Sequence, residues 1–162
     1  MKTTFEKLKT LLIGTWKGQG FAKFPTIENT GYEEIWKFTS DEWKPTIHYE
    51  QHTWYVNATA NNGQTVFWDT GFILLKDDQI LLISAQSGGR LETYELVSSI
   101  SNRFTFEMKS LINDPKTIRS QRIIDVNGQI LLYQLNMSTH QATTFQNHLN
   151  AELKKRIGKI RY

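Results

Sequence analysis

The sequence contains no cysteine, which removes disulfide frameworks, thiolate metal centres and cysteine nucleophiles from consideration. No apolar run approaches the ~20 residues that a membrane-spanning helix needs. Where a signal peptide would carry its apolar core, the N-terminus reads Met1-Lys2-Thr3-Thr4-Phe5-Glu6-Lys7-Leu8-Lys9, with charges throughout. A cytoplasmic protein with no membrane partner is therefore expected. Phosphate-binding loops are missing too, since Gly88-Gly89 falls in a turn and opens no helix. Glu33 and Glu34 adjoin, so on a strand they face opposite ways and make no catalytic pair.

Charge excludes a further class. The net charge is +3 and the isoelectric point is near 9.1, but Lys154, Lys155, Arg156, Lys159 and Arg161 all lie in the last stretch, which has no acid. Those five cations exceed the net charge, so the remainder of the chain is acidic. A basic end without a basic stripe argues against nucleic acid as the partner.

What is present points to a β-barrel. The length of 162 residues suits one domain, residues 1–162, with a sizeable core. In the stretch Ile13-Gly14-Thr15-Trp16-Lys17-Gly18-Gln19-Gly20, a strand would put Gly14, Trp16, Gly18 and Gly20 on one face. One large ring and three gaps on a face suit a strand whose Trp16 plugs a closed end, with glycines where the strand coils or another backbone comes close. Ahead of it, Phe5, Leu8, Leu11 and Leu12 fall at helical spacing, predicting a short amphipathic helix that closes one end of the barrel.

Later segments alternate as half-buried strands do. Tyr32, Glu34, Trp36 and Phe38 share a face, as do Phe104, Phe106 and Met108, and Leu131, Tyr133, Leu135 and Met137. Further β-rich runs occupy 47–57, 65–75, 80–85, 91–98 and 118–125. Turn signals such as Asn62-Gly63, Ser101-Asn102 and Asn127-Gly128 recur about every dozen residues with no long helix between them, as antiparallel hairpins require. The segment 148–156 has helical propensity, yet Leu149, Ala151 and Leu153 alternate. As a tenth strand paired with the first it would remove both sheet edges. Simple alternation then points His148 away from those three residues, so an inward His148 needs a bulge nearby, or else the apolar positions pack outside against the helix. The fold class expected is all-β: a single antiparallel, ten-stranded, up-and-down barrel with a short N-terminal helix.

Four histidines are the candidate metal ligands. His48 and His52 share a strand face but stand ~13 Å apart, too far to hold one metal together. His140 sits in a polar loop. His148 opens the last strand and is followed by Leu149.

The Gly-x-Trp-x-Gly-x-Gly of the first strand and the run Met137-Ser138-Thr139-His140-Gln141-Ala142-Thr143-Thr144-Phe145-Gln146-Asn147-His148-Leu149 resemble the nitrobindin family of haem-binding barrels. Pro25-Thr26, Gly71-Phe72 and Ser84-Ala85-Gln86 match the family in order along the chain. The resemblance implies haem b as cofactor and His148 as the axial iron ligand and catalytic centre, its second ring nitrogen held by an acceptor such as a backbone carbonyl. It also implies that Thr26, Gln86 and Met137 contact the cofactor. Phe67 takes the place where the family usually has a distal histidine, and Ser120 a place often held by lysine, so a hydrophobic distal side is expected. The implied function is nitric oxide binding and isomerisation of peroxynitrite to nitrate on ferric haem. The alternative is an intracellular carrier of fatty acid or another apolar ligand without haem. Its usual Arg-x-Tyr signature is absent, because Arg161-Tyr162 are adjacent, although Arg119 or Arg122 could serve if either points inward.

Overall fold

The computed structural model describes residues 1–24 and 29–156. Helix α1 (Lys2–Leu12) leads into β1 (Gly14–Ala22), β2 (Thr30–Ser40), β3 (Thr46–Val56), β4 (Thr65–Lys76) and β5 (Gln79–Gln86). Then follow β6 (Leu91–Ile100), β7 (Arg103–Ile112), β8 (Thr117–Asn127), β9 (Ile130–Thr139) and β10 (Gln146–Arg156). Each strand pairs with its sequence neighbours and β1 also pairs antiparallel with β10, so the sheet closes into an up-and-down barrel. The helical propensity of the last segment yields to pairing on both sides. As a strand, its backbone bonds to β1 from Thr15↔Arg156 to Ala22↔Leu149 and to β9 from Gln146↔Met137 to Lys154↔Ile130. A helix there would leave two open edges.

The β1 glycines are where two strands come unusually close. A methyl group on Gly18 would lie 1.9 Å from the Glu152 carbonyl oxygen, and one on Gly20 would lie 2.3 Å from the Tyr32 ring. Trp16 is fully buried and its indole N–H donates to the Leu12 carbonyl at 2.7 Å, tying α1 to the barrel. Phe5, Leu8 and Leu12 on the inner face of α1 join Trp36, Phe38, Tyr49 and Tyr133 in one core. The closed end is therefore the end nearest α1.

Two irregularities shape the other end. The β9–β10 register shifts between Asn147 and Leu149, so His148 and Leu149 both turn inward, each with 1% of its surface exposed. Of the two options left by the alternation, the bulge is the one taken, and Leu149, Ala151 and Leu153 stay inside. Strands β7 and β8 pair only from Arg103↔Asp125 to Glu107↔Gln121. Beyond that point side chains bridge them, Arg119 to Glu107 at 2.8 Å, and Arg90 links the β5–β6 turn to Asp114 at 2.7 Å. No helix is long and apolar enough to cross a membrane among the described residues.

Candidate functional site

At the end of β1 remote from α1, Phe24, Arg90, Lys116, Thr117, Met137 and His148 line a cavity of about 260 Å³. Three elements bring His148 there. The bulge turns its side chain inward, the Lys23 amide donates to its carbonyl at 2.8 Å, and the Phe24 ring packs edge-to-face on its imidazole with centroids 5.1 Å apart at 87°. Among the described residues neither Nδ1 nor Nε2 has a hydrogen-bond partner, although the residue is buried. Burial also holds the imidazole below its ordinary pKa, which favours the neutral form with a free lone pair. A buried neutral imidazole with an unclaimed nitrogen lone pair is the donor that an iron centre requires. Among the described residues no acceptor reaches the ring, and the carbonyl of His148 itself accepts from the Lys23 amide.

Met137 shares the cavity with His148. Gln86 is on the inner face of β5 but does not line that cavity; it donates to Glu92 at 2.8 Å. Phe67 shares the inner face of β4 with buried Asp69 and Gly71, while Trp68 points outward and is 46% exposed. The wall around Phe67 is not apolar, as its ring lies 6.0 Å from the Arg122 guanidinium. Arg122 is itself paired with Asp69 and Glu92. Thr26 lies outside the described residues. His140 is exposed, and His48 and His52 sit on the outer wall, bonded to Thr70 and Thr65 at 3.0 Å each.

Sequence reasoning missed the interior polar network. Arg122 is fully buried and reaches Asp69 at 2.6 Å, Ser84 at 3.0 Å and Glu92 at 3.2 Å. Tyr49 donates to Asp69 at 3.0 Å, and the Tyr94 hydroxyl lies 2.7 Å from both Glu92 and Ser120. Arg90 bonds Glu92, Asp114 and Thr117, so alternating charges run Asp114, Arg90, Glu92, Arg122, Asp69 from the cavity wall to the core. The signal was available: Ser120 and Arg122 alternate with outward residues in β8, and Glu92 and Tyr94 do the same in β6. Arg122 does point inward, but two carboxylates already neutralise its charge, and Arg119 points outward to Glu107. The carboxylate anchor of a fatty-acid carrier is therefore not free. Glu34, deeper still, has no exposed surface, accepts from the Gln51 amide and has no partner at Oε2. Burial raises its pKa to about 7.

Residues 6–155 match the family described as the THAP4-like, heme-binding beta-barrel domain. The chain belongs to this haem-binding barrel family. A peroxynitrite isomerase from Arabidopsis thaliana is similar at 31% identity over 147 residues, covering 89% of this chain and 84% of the relative. A ferric nitrobindin-like protein from Thermobifida fusca is 30% identical over 63 residues, 39% of this chain and 35% of that one. The crystal structure of Rv2717c from M. tuberculosis superposes with a TM-score of 0.77 at 25% identity, over 93% of this chain and 97% of that chain. The family's cofactor fits the cavity on the structure's own terms, because the haem-binding barrel has one buried imidazole without partners and that imidazole lines it. Among the described residues no three His, Asp or Glu side chains converge on a metal position.

Proposed function

We propose that this protein holds haem b through His148 and, in the ferric state, isomerises peroxynitrite to nitrate, with nitric oxide as a further ligand. The observation that carries the reading is the buried His148 side chain, with both ring nitrogens unclaimed, in the cavity wall. Bound there, haem supplies an iron centre with one exchangeable position for a small nitrogen–oxygen species. His148 contributes its lone pair on one side of that centre. Phe24 and Met137 supply apolar wall that limits access of water, which strengthens polar interactions inside. Lys116 places a cation at the cavity edge, where it attracts an anionic substrate. Arg90 adds less, since Glu92 and Asp114 already neutralise it. Gln86 and Phe67 act from the adjoining wall, and Thr26 is included on the family resemblance.

The cavity of about 260 Å³ lies just below the ~300–1,000 Å³ of small-molecule sites, and His148, Phe24 and Met137 in its wall would be the residues that hold the cofactor. Haemin titration tests the reading. The purified protein should develop a Soret band of imidazole-ligated iron at one equivalent, His148→Ala should lose it with the fold intact, and His140→Ala should keep it. Peroxynitrite decay should then be accelerated by loaded wild type and not by His148→Ala. Failure of wild type to bind haemin while it binds a fatty acid would replace this function with that of an apolar-ligand carrier.

A further inference from the structure

A histidine that ligates a metal almost always donates its other ring N–H to a carboxylate, a backbone carbonyl or water, and that bond fixes the ring plane and raises its basicity. Among the described residues His148 has no such protein partner. Rotation of an imidazole about its terminal side-chain bond is soft, so something else must set the plane. The candidates are few. The backbone on either side is held by the bulge and by the Lys23 amide, but neither touches the ring nitrogens. The one aromatic contact of the ring is the Phe24 ring, 5.1 Å away at 87°, the edge-to-face arrangement that aromatic pairs favour. Lys23 and Phe24 are consecutive, so the same hydrogen bond that anchors the His148 carbonyl also brings the phenyl ring to the imidazole.

We propose that Phe24 is the positioning residue for His148: its ring sets the imidazole plane by an edge-to-face contact in place of the usual hydrogen bond. The proposal rests on His148 being the iron ligand. Phe24 itself touches no reacting atom in this role; it acts through the histidine. Two consequences follow from the chemistry of the pair. The imidazole is held by packing alone, so its orientation depends on an aromatic edge and not merely on apolar volume. It is also a weaker donor than an imidazole whose far N–H is bonded to a carboxylate or carbonyl, because nothing draws that proton away from the ring.

The test compares haemin affinity in wild type, Phe24→Leu, His148→Ala and the double variant, with Phe24→Tyr as the conservative replacement. Phe24→Met, which keeps apolar volume without an aromatic edge, is a second probe of the same contact. Phe24 lies beyond the end of β1, outside the strand pairing, so melting of the unloaded proteins should change little and serves as the folding control. Phe24→Leu and Phe24→Met should each weaken haemin binding about tenfold, and Phe24→Tyr should not. In the His148→Ala background the Phe24→Leu change should be less than about twofold, because no imidazole is left to orient. The iron–histidine stretching band of the ferrous loaded protein should be low and narrow in wild type and broadened in Phe24→Leu. Equal losses in both backgrounds would mean that Phe24 is only a wall against the macrocycle, and the positioning role would be wrong. Haemin binding and an iron–histidine band indifferent to Phe24 would also overturn it while leaving the proposed function standing. Wild type that binds no haemin would sink the proposed function and this role together.

Discussion

Replacing Glu34 by glutamine should remove a large pH dependence from the stability of the unloaded protein. Glu34 is fully buried in the barrel with one oxygen unpartnered. Its carboxyl is pushed up from 4.5 to about 7, first by burial, with hydrogen bonding from Gln51 and the field of Arg122 offsetting only part. A raised value means that the folded protein holds this proton more tightly than the unfolded chain does. The resulting stability is fully present below about pH 4.5 and is lost as pH rises through about 7. At ~1.36 kcal/mol per pH unit, the interval from 4.5 to about 7 corresponds to about 3 kcal/mol. Glutamine keeps the side-chain shape and stays neutral. At about pH 8, Glu34→Gln should therefore be more stable than wild type by up to about 3 kcal/mol, or ~6–12 °C in melting temperature for a chain of this size. Near pH 5 the two should differ by less than about 1 kcal/mol. His148 works in the opposite direction: burial lowers its pKa, so its contribution is lost as pH falls through the ordinary histidine range. It is common to both proteins and cancels in their difference. Urea unfolding at the two pH values is the assay. A variant that is less stable at about pH 8, or a gap that is the same at both values, would refute the argument.

Two other substitutions test the interior and the closure. Arg122→Met leaves Asp69 as a buried carboxylate without its cation, while Glu92 keeps only Arg90, so it should cost ~3–5 kcal/mol in denaturant unfolding. Adding Asp69→Asn and Glu92→Gln should recover most of that loss, and a single-variant cost below ~1 kcal/mol would contradict the network's role. Gly18→Ala puts a methyl 1.9 Å from the Glu152 carbonyl, so the β1–β10 seam must open, at ~1–3 kcal/mol or more. Amide exchange should then speed up in β10 and not in β5; uniform acceleration would argue against a local effect at the seam.

Much of the architecture was legible because strand faces follow from a period of two. The inward set Tyr32, Glu34, Trp36 and Phe38, the capping face of α1 and the turn after Asn62 all follow from residue type and spacing along the chain. The Gly18 and Gly20 positions were readable as close approaches, but not what approaches them, because β10 lies at the other end of the sequence. Three decisions belonged to the tertiary structure. Pairing with β1 and β9 overrode the helical propensity of 148–156, since closing the ring satisfies two edges at once. A one-residue register shift put His148 inside with Leu149, against the alternation that would have turned it outward. The polar side chains of Asp69, Ser84, Glu92 and Arg122 come from four strands, so only the curvature of the closed sheet makes them neighbours. The sequence by itself determined which residues face inward along each strand; which of those inward residues meet, and that His148 meets none through its nitrogens, was decided by the barrel, because contacts across a closed sheet depend on register and closure and not on local spacing.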